Sequence, residues 1–349
     1  LAGEKILLPA NQLTQNRGVQ AMKIKASFIL TVAALALSGS ALAEVKIALV
    51  AKSLGNGFFE AANVGAQEAA KELGDVKVIY TGPTTTTAEA QIEVLNGLIA
   101  QGVDAIAISA NDPDAVVPVL KKAMQRGIKV VSWDSGVAAG GRQIHLNPSN
   151  NQLIGETNVK LAADALKALN VEKGDVAILS ATPTSTNQNI WIGEMKKVLP
   201  NYPSINLVTV AYGDDLSDKS YREAVGLLKS YPDLKVIVSP SSVGIVAAAQ
   251  AVKDQGKIGK VYVTGLGLPS EMAGAIKSGA SKSFAIWNPI DLGYAATYLA
   301  DDLVKGTATK TEASMGKLGK VKLDADGNGA MSEPFVYDAS NIDKFSKIF

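Results

Sequence analysis

The chain has 349 residues and a formal net charge of +1, from 34 basic and 33 acidic side chains. This near-neutral balance provides no electrostatic footprint for nucleic acid, because binding there depends on neutralising phosphates. The chain has no cysteine and one histidine, His145. That composition excludes disulfides and thiolate metal sites, and it argues against histidine-rich zinc centres and most Ser-His-Asp triads.

The N-terminal residues predict export from the cytoplasm. Residues 1–21 begin with Leu1 and show neither helical nor strand periodicity, so we interpret them as extraneous to the fold. Residues 22–43 follow the pattern of a cleavable signal peptide, with a basic start, a short apolar run and an Ala-Leu-Ala cleavage site. The apolar run is too short to cross a bilayer, which requires about 20 residues. We therefore predict an exported protein whose mature chain begins at Glu44.

From Glu44 onward the sequence alternates between short apolar runs and amphipathic segments. Strands are predicted at 45–51, 76–80, 105–109 and 129–133, and helices at 58–73, 88–101 and 114–126. A glycine follows each of these helices, and glycine readily adopts the left-handed conformation of a helix C-cap. The strands are apolar throughout, which is typical of parallel strands that helices cover on both faces.

The same alternation resumes after residue 150. Helices are predicted at 151–169, 217–230, 243–255, 269–277 and 291–305, and strands at 176–180, 206–211, 236–239, 261–265 and 283–287. A strict alternation of strand and helix indicates the α/β class. We therefore predict two doubly wound parallel-sheet domains in series.

Ligands of doubly wound sheets bind beyond the carboxyl ends of the strands. Those ends carry amides, hydroxyls, a carboxylate, an ammonium group and flat aromatic rings. The candidate ligand-binding residues are Lys52, Asn56, Phe58, Phe59, Asp134, Asn187, Gln188, Trp191, Pro240, Ser242, Trp287 and Asn288. Amides and carboxylates pair with hydroxyl groups, and aromatic faces cover C–H faces of a sugar ring. The pattern favours a polyhydroxylated small molecule, with no catalytic residue, metal or cofactor.

Two other motifs have simpler interpretations. Asp324 opens an Asp-Ala-Asp-Gly-Asn-Gly run that resembles a calcium loop, but Phe335 stands where that loop requires Glu. We predict a glycine-rich hairpin turn there. We also expect His145 to be a hydrogen-bonded hinge residue and not a catalyst.

Beyond residue 43 the chain resembles the ribose-type periplasmic sugar-binding proteins of ABC transporters, which have the type I periplasmic binding protein fold. The opening strand and helix, with Asn56, Phe58 and Phe59, and Asp134 after the fourth strand, carry the resemblance. In that family the asparagine, the paired phenylalanines and the aspartate contact the sugar. The resemblance implies a monomeric, non-enzymatic receptor in the periplasm, with a sugar ligand and an inner-membrane permease as partners.

Within the family, the chain is most similar to the branch of rhamnose-binding and autoinducer-2-binding proteins. Its marks are Lys52, residues 124–135, the Thr-Asn-Gln-Asn run at 186–189 with Trp191, Pro240, Ser242 and Trp287. In the autoinducer-2 receptors an Asp-Gln pair and a Pro-x-Ala segment help to hold the ligand, whereas Asn187 and Ser242 stand there in this chain. Loss of a carboxylate removes a strong acceptor. We therefore expect L-rhamnose or a related deoxyhexose, with autoinducer-2 as the alternative.

The resemblance also implies a three-segment hinge near residues 147–150, 281–285 and 309–328. These crossings predict an N-terminal domain of 44–147 plus 285–312, and a C-terminal domain of 148–284 plus 313–349. The family closes this hinge over its ligand.

Two other protein classes remain as alternatives. A secreted glycosidase would need two carboxylates from Asp112, Asp114 and Asp134, but the first two are typical of a helix cap. A transcription regulator would need a helix-turn-helix where the export signal stands.

Overall fold

The computed structural model describes residues 44–349, so the predicted signal peptide (22–43) and extraneous segment (1–21) lie outside the described residues. The strands are β1 Val45–Val50, β2 Val76–Thr81, β3 Ala105–Ile108, β4 Lys129–Trp133, β5 Ile144–Ser149, β6 Gly174–Ser180, β7 Ile205–Tyr212, β8 Leu234–Ser239, β9 Tyr262–Gly265, β10 Ser283–Ile286, β11 Glu312–Ser314, β12 Lys320–Lys322, β13 Asn328–Ser332 and β14 Phe335–Asp338. The helices are α1 Gly57–Leu73, α2 Ala88–Gln101, α3 Val117–Gln125, α4 Asn151–Ala168, α5 Thr186–Val198, α6 Ser217–Ser230, α7 Ser242–Asp254, α8 Pro269–Ser278, α9 Pro289–Lys305 and α10 Ile342–Phe345.

The first sheet has six parallel strands in the order β13-β5-β4-β3-β1-β2. Its central strands are apolar on both faces, and Ile47, Leu49 and Ile106 are fully buried. Burial on both faces explains why these strands have continuous apolar sequences. We call this sheet with the helices packed on it the first half.

The second sheet has four parallel strands in the order β7-β6-β8-β9. A bridge from Leu266 to Ala285 places β10 beside β9, and β14 pairs with β10 in the antiparallel direction. We call these strands with their helices the second half. The two parallel sheets confirm the predicted α/β class, and the predicted elements agree with the structure to within three residues.

Helices α1 and α9 approach each other closely. A Cβ atom at Gly65 or at Gly293 would overlap a backbone carbonyl of the opposite helix. Both positions therefore require glycine. The close contact matters for function, because the first turn of α1 carries Phe58 and Phe59, and α9 begins two residues after Trp287.

The C-terminal segment is shared between the two halves. We predicted that 313–349 would belong wholly to the C-terminal domain, but 328–332 forms the outer strand of the first sheet, where Asn328 pairs with His145. The polar, glycine-containing sequence has no strand pattern of its own, so pairing with β5 determines its conformation. The division into two hinged domains remains a prediction.

Among residues 44–349, no helix combines the length and apolar character needed to cross a membrane.

Candidate ligand-binding site

Eleven of the twelve predicted residues surround one pocket between the two halves. They are Lys52, Asn56, Phe58, Phe59, Asp134, Asn187, Gln188, Trp191, Pro240, Ser242 and Trp287. These residues line a space of about 370 Å³, part of which is open to solvent. A pocket this small admits one small molecule and not a polymer chain.

The twelfth residue, Asn288, does not line this pocket. Its Oδ1 accepts the Ile290 N–H at 3.0 Å, and its Nδ2 donates to Asp291 Oδ2 at 2.9 Å. Asn288 is thus the N-cap of α9, directly before a proline at the first helical position. An asparagine before a proline is typical of a helix start, so the sequence itself indicated the capping role.

Four aromatic side chains form the apolar wall of the pocket. The Asn56 side chain caps α1 by accepting the Phe58 N–H at 3.0 Å, and the first turn then presents Phe58 and Phe59. The Phe58 ring lies edge-on to Trp287 at 6.3 Å between centroids, and Trp191 from the second half lies 5.4 Å from Trp287. Rings from both halves therefore meet around the pocket.

Asp134 follows β4 in the left-handed region, with φ of 56°. Asp tolerates this conformation better than most residues do. Its Oδ2 accepts the Ser109 hydroxyl at 2.9 Å and its Oδ1 accepts the Asn187 amide at 2.9 Å. Burial raises the pKa of the Asp134 carboxyl, while Lys52 and these two hydrogen bonds oppose that rise. The carboxylate is therefore fixed in position.

Lys52 extends from the end of β1 to the second half. Its Nζ donates to Ser185 Oγ at 3.1 Å and lies 3.9 Å from Asp215 Oδ2. Lys52 is 2% exposed, so its charge is shielded from water. A buried ammonium group needs such partners, because an unpaired buried charge is strongly unfavourable.

The two amides at the start of α5 have partners in different halves. Gln188 Oε1 accepts the Ser180 hydroxyl at 2.8 Å and the Ala181 N–H at 2.6 Å. Asn187 donates across the pocket to Asp134, which a carboxylate at residue 187 could not do without taking up a proton. The Trp191 indole N–H donates to Asn151 Oδ1 at 2.8 Å.

Three threonine hydroxyls join the two halves around the pocket. Thr86 donates to the Asp214 carbonyl at 2.8 Å. Thr184 and Thr186 donate at 3.0 Å to the carbonyls of Asn111 and Gly136. The halves are thus in direct contact on several sides of the pocket, and the structure is a closed arrangement.

The sequence reasoning missed Asp215, Leu266 and Ile286, which also line the pocket. Leu266 and Ile286 are almost fully buried at strand ends, so their sequence signal is indistinguishable from that of core residues. Asp215 follows the outer strand β7 within a Gly-Asp-Asp turn. Its position as a second carboxylate after a strand end is the sequence feature that could have identified Asp215 as a ligand-binding candidate.

The other candidate residues lie elsewhere. His145 bonds to Ser132 Oγ at 2.9 Å and to Asn147 Oδ1 at 3.1 Å, and burial with the nearby Arg142 charge lowers its pKa to about 4. It is a neutral residue on β5 with the predicted hydrogen bonds, and its role in a hinge remains a prediction. Asp112 accepts the N–H groups of the turn that follows it. Within residues 44–349, no three His, Cys, Asp or Glu side chains are grouped to hold a metal ion.

The sequence matches the periplasmic binding protein domain over residues 47–308. It is 30% identical over 226 residues to a D-ribose/D-allose-binding protein from Pseudomonas aeruginosa, covering 63% of this chain and 70% of that one. It is 27% identical to the D-allose-binding periplasmic protein of Escherichia coli, covering 79% of this chain and 89% of that one.

Two solved structures share the fold. An ABC transporter solute-binding protein from Clostridium phytofermentas with bound L-rhamnose is 37% identical, covers 87% of this chain and 99% of its own, and has a TM-score of 0.80. LsrB from Clostridium saccharobutylicum in complex with AI-2 is 25% identical, covers 86% of this chain and 99% of its own, and has a TM-score of 0.82. This chain belongs to the periplasmic binding protein family and has its type I α/β fold.

Proposed function

We propose that this protein is the periplasmic substrate-binding component of a sugar ABC importer and that it binds L-rhamnose or a related deoxyhexose. The observation that carries the proposal is the mixed lining of the pocket. Fixed carboxylate and amide groups form its polar part, and aromatic and aliphatic side chains form its apolar part. A solute-binding protein with bound L-rhamnose is 37% identical over almost its whole length, which supports the choice of sugar.

The polar part of the lining suits the hydroxyl groups of a sugar. Both carboxyl oxygens of Asp134 accept hydrogen bonds, from Ser109 and from Asn187, and the group keeps free lone pairs beyond those two bonds. Lys52 and Gln188 add donors next to it. Hydrogen bonds to charged groups are about twice as strong as neutral ones, so Asp134 is the principal hydroxyl acceptor in this proposal.

The apolar part of the lining suits a deoxyhexose. Phe58, Phe59 and Trp287 offer flat surfaces for the C–H face of a ring. Leu266 and Ile286 add aliphatic surface at the ends of β9 and β10. A methyl group at C6 stabilises the complex there, whereas a hydroxymethyl group would lose its hydration without gaining a partner.

Transport function requires the two halves to open and close. The predicted hinge divides the chain into 44–147 plus 285–312 and 148–284 plus 313–349, with the outer strand at 328–332 returning to the first half. In this proposal the sugar binds one half, the other closes over it, and an inner-membrane permease receives the closed form of a monomeric receptor.

Isothermal titration calorimetry of residues 44–349 tests the proposal. We expect stoichiometric binding of L-rhamnose that Asp134→Ala abolishes and that Asp233→Ala, at an exposed carboxylate, leaves unchanged. Small-angle scattering with saturating rhamnose should show compaction of the free protein. Absence of heat with rhamnose, or equal affinity of the Asp134 variant, would refute the assignment.

Autoinducer-2 is the second candidate ligand, and a structure of LsrB with AI-2 has the same fold with a TM-score of 0.82. Lys52, Asp134, Gln188 and Pro240 match the residues that the resemblance assigns to that ligand, whereas Asn187 and Ser242 do not. Heat with autoinducer-2 and none with L-rhamnose would establish this alternative.

A further inference from the structure

We infer that Asp215 is a second ligand-binding carboxylate, which receives sugar hydroxyls from the second half opposite Asp134. This inference rests on the proposed function, because it requires a polyhydroxylated ligand in the pocket. It adds a specificity-determining residue at a position that the resemblance did not assign. Asp215 would also supply the second half of the pocket with a carboxylate, the group that is missing at Asn187.

The first argument is the unfilled hydrogen-bonding capacity of the Asp215 side chain. The side chain is 9% exposed and lines the pocket. Its Oδ1 accepts the Ser241 hydroxyl at 2.5 Å, whereas its Oδ2 lies 3.9 Å from Lys52 Nζ. That distance is too long for a hydrogen bond. A carboxylate has about four acceptor sites, so most of the capacity of this largely covered group is available to a ligand.

The second argument is the backbone that holds Asp215. Asp214 and Asp215 both have positive φ angles, of 57° and 53°. Non-glycine residues adopt this region at an energetic cost, and such strain is concentrated at functional sites. The turn is fixed on both sides, since the Asp214 carbonyl accepts the Thr86 hydroxyl of the first half and the Asp214 carboxylate pairs with Lys219. The fixed turn directs Asp215, and not Asp214, toward the pocket.

The third argument is the charge balance of the site. Among the described residues that line the pocket, Asp134 and Asp215 provide two carboxylates and Lys52 provides one ammonium group. A lining with excess acceptors favours neutral ligands rich in hydroxyl donors. It disfavours sugar acids and sugar phosphates, whose negative charge would add to that of the lining.

The test compares Asp215→Asn with Asp233→Asn by titration calorimetry. Asn keeps the size of the side chain and an oxygen for Ser241 but removes the charge. We expect Asp215→Asn to weaken L-rhamnose binding by about 10- to 100-fold, the loss typical of a hydrogen bond to a charged group. Asp233→Asn, at an exposed carboxylate outside the pocket lining, should stay within about twofold. Thermal melts of both variants verify that they are folded.

Monodeoxy analogues of the bound sugar separate direct contact from an indirect effect. If Asp215 binds one hydroxyl, wild type and Asp215→Asn will have equal affinity for the analogue that lacks that hydroxyl. An equal loss for every analogue would overturn the inference, because Asp215 would then act only through Lys52 or through closure. Unchanged affinity of folded Asp215→Asn would overturn it as well.

The choice of ligand is tested separately from Asp215. Wild type is first titrated with L-rhamnose, autoinducer-2, D-ribose and D-allose. If a ligand other than rhamnose binds, the proposed sugar is wrong and the two variants are compared with that ligand instead. If none binds, the polyol-binding function fails and the inference fails with it.

Discussion

Replacing Asn187 by Asp would place two carboxylates against each other in the pocket. The Asn187 amide now lies 2.9 Å from Asp134 Oδ1. Two negative charges at that distance repel by about 6 kcal/mol at an effective dielectric constant of 20. Taking up one proton at pH 7 costs a carboxyl of ordinary pKa only about 4 kcal/mol. The lower cost prevails, so we expect the Asn187→Asp pair to share one proton in the folded state.

The shared proton makes the stability of the variant depend on pH. The unfolded carboxyls release their protons near pH 4, whereas the folded pair keeps one to a higher pH. The folded state therefore binds more protons, and its stability falls as pH rises. We expect Asn187→Asp to be less stable than wild type by about 4 kcal/mol at pH 7, and the difference to shrink by about 1.4 kcal/mol for each pH unit toward pH 4.

Urea unfolding of wild type, Asn187→Asp and Asn187→Ala at pH 5, 6, 7 and 8 measures this difference. The Ala variant loses the same hydrogen bond to Asp134 without adding a charge, so its deficit relative to wild type should change less with pH than that of the Asp variant. Parallel pH profiles for the Asp and Ala variants would refute the reasoning, because they would show that charge repulsion is not what destabilises the Asp variant.

Three further predictions concern packing, titration and ligand choice. Gly293→Ala should lose at least about 2 kcal/mol in urea unfolding because its Cβ overlaps a carbonyl of α1, whereas Gly97→Ala, with open space around it, should gain up to about 1 kcal/mol. His145 has a folded pKa of about 4, so it should contribute about 3 kcal/mol to the free energy of unfolding above pH 6.5. This contribution should be lost as pH falls toward 4. A pH series of thermal melts should show that His145→Gln removes this dependence of stability on pH. With Leu266 and Ile286 lining the pocket, calorimetry should show L-rhamnose binding about 10-fold tighter than L-lyxose, which lacks C6, and tighter than L-mannose, which carries a hydroxyl there.

The fold was predictable where the local signal and the tertiary environment agree. The β1 and β4 sequences are apolar because both faces are buried, and glycines mark the ends of α1 and α2. The strand β5 contains His145, Asn147 and Pro148, so its sequence resembles a loop. Its strand conformation comes from pairing with β4 and β13. This pairing joins segments that are apart in the sequence, so the local sequence of β5 does not indicate it.

The site was predictable where a residue type is unusual for its position. Lys52 and Asp134 are charged residues at the ends of buried strands, which makes them conspicuous. Asp215 was not conspicuous, because it follows the half-exposed outer strand β7 in a turn where Asp is common. Asn288 was wrongly predicted to line the pocket, because an amide that follows a strand can cap the next helix as readily as it can bind a ligand.

The charged groups of the pocket connect recognition with closure. Lys52 of the first half meets Ser185 and Asp215 of the second, while Asn187 of the second half meets Asp134 of the first. In an open form, water would solvate these groups. Closure without a ligand buries carboxylate acceptors that remain unfilled, which is unfavourable. Under the proposed hinge closure, a ligand rich in hydroxyl groups would fill them only when both halves surround it. Such a ligand would bind the closed form more tightly and shift the population toward it.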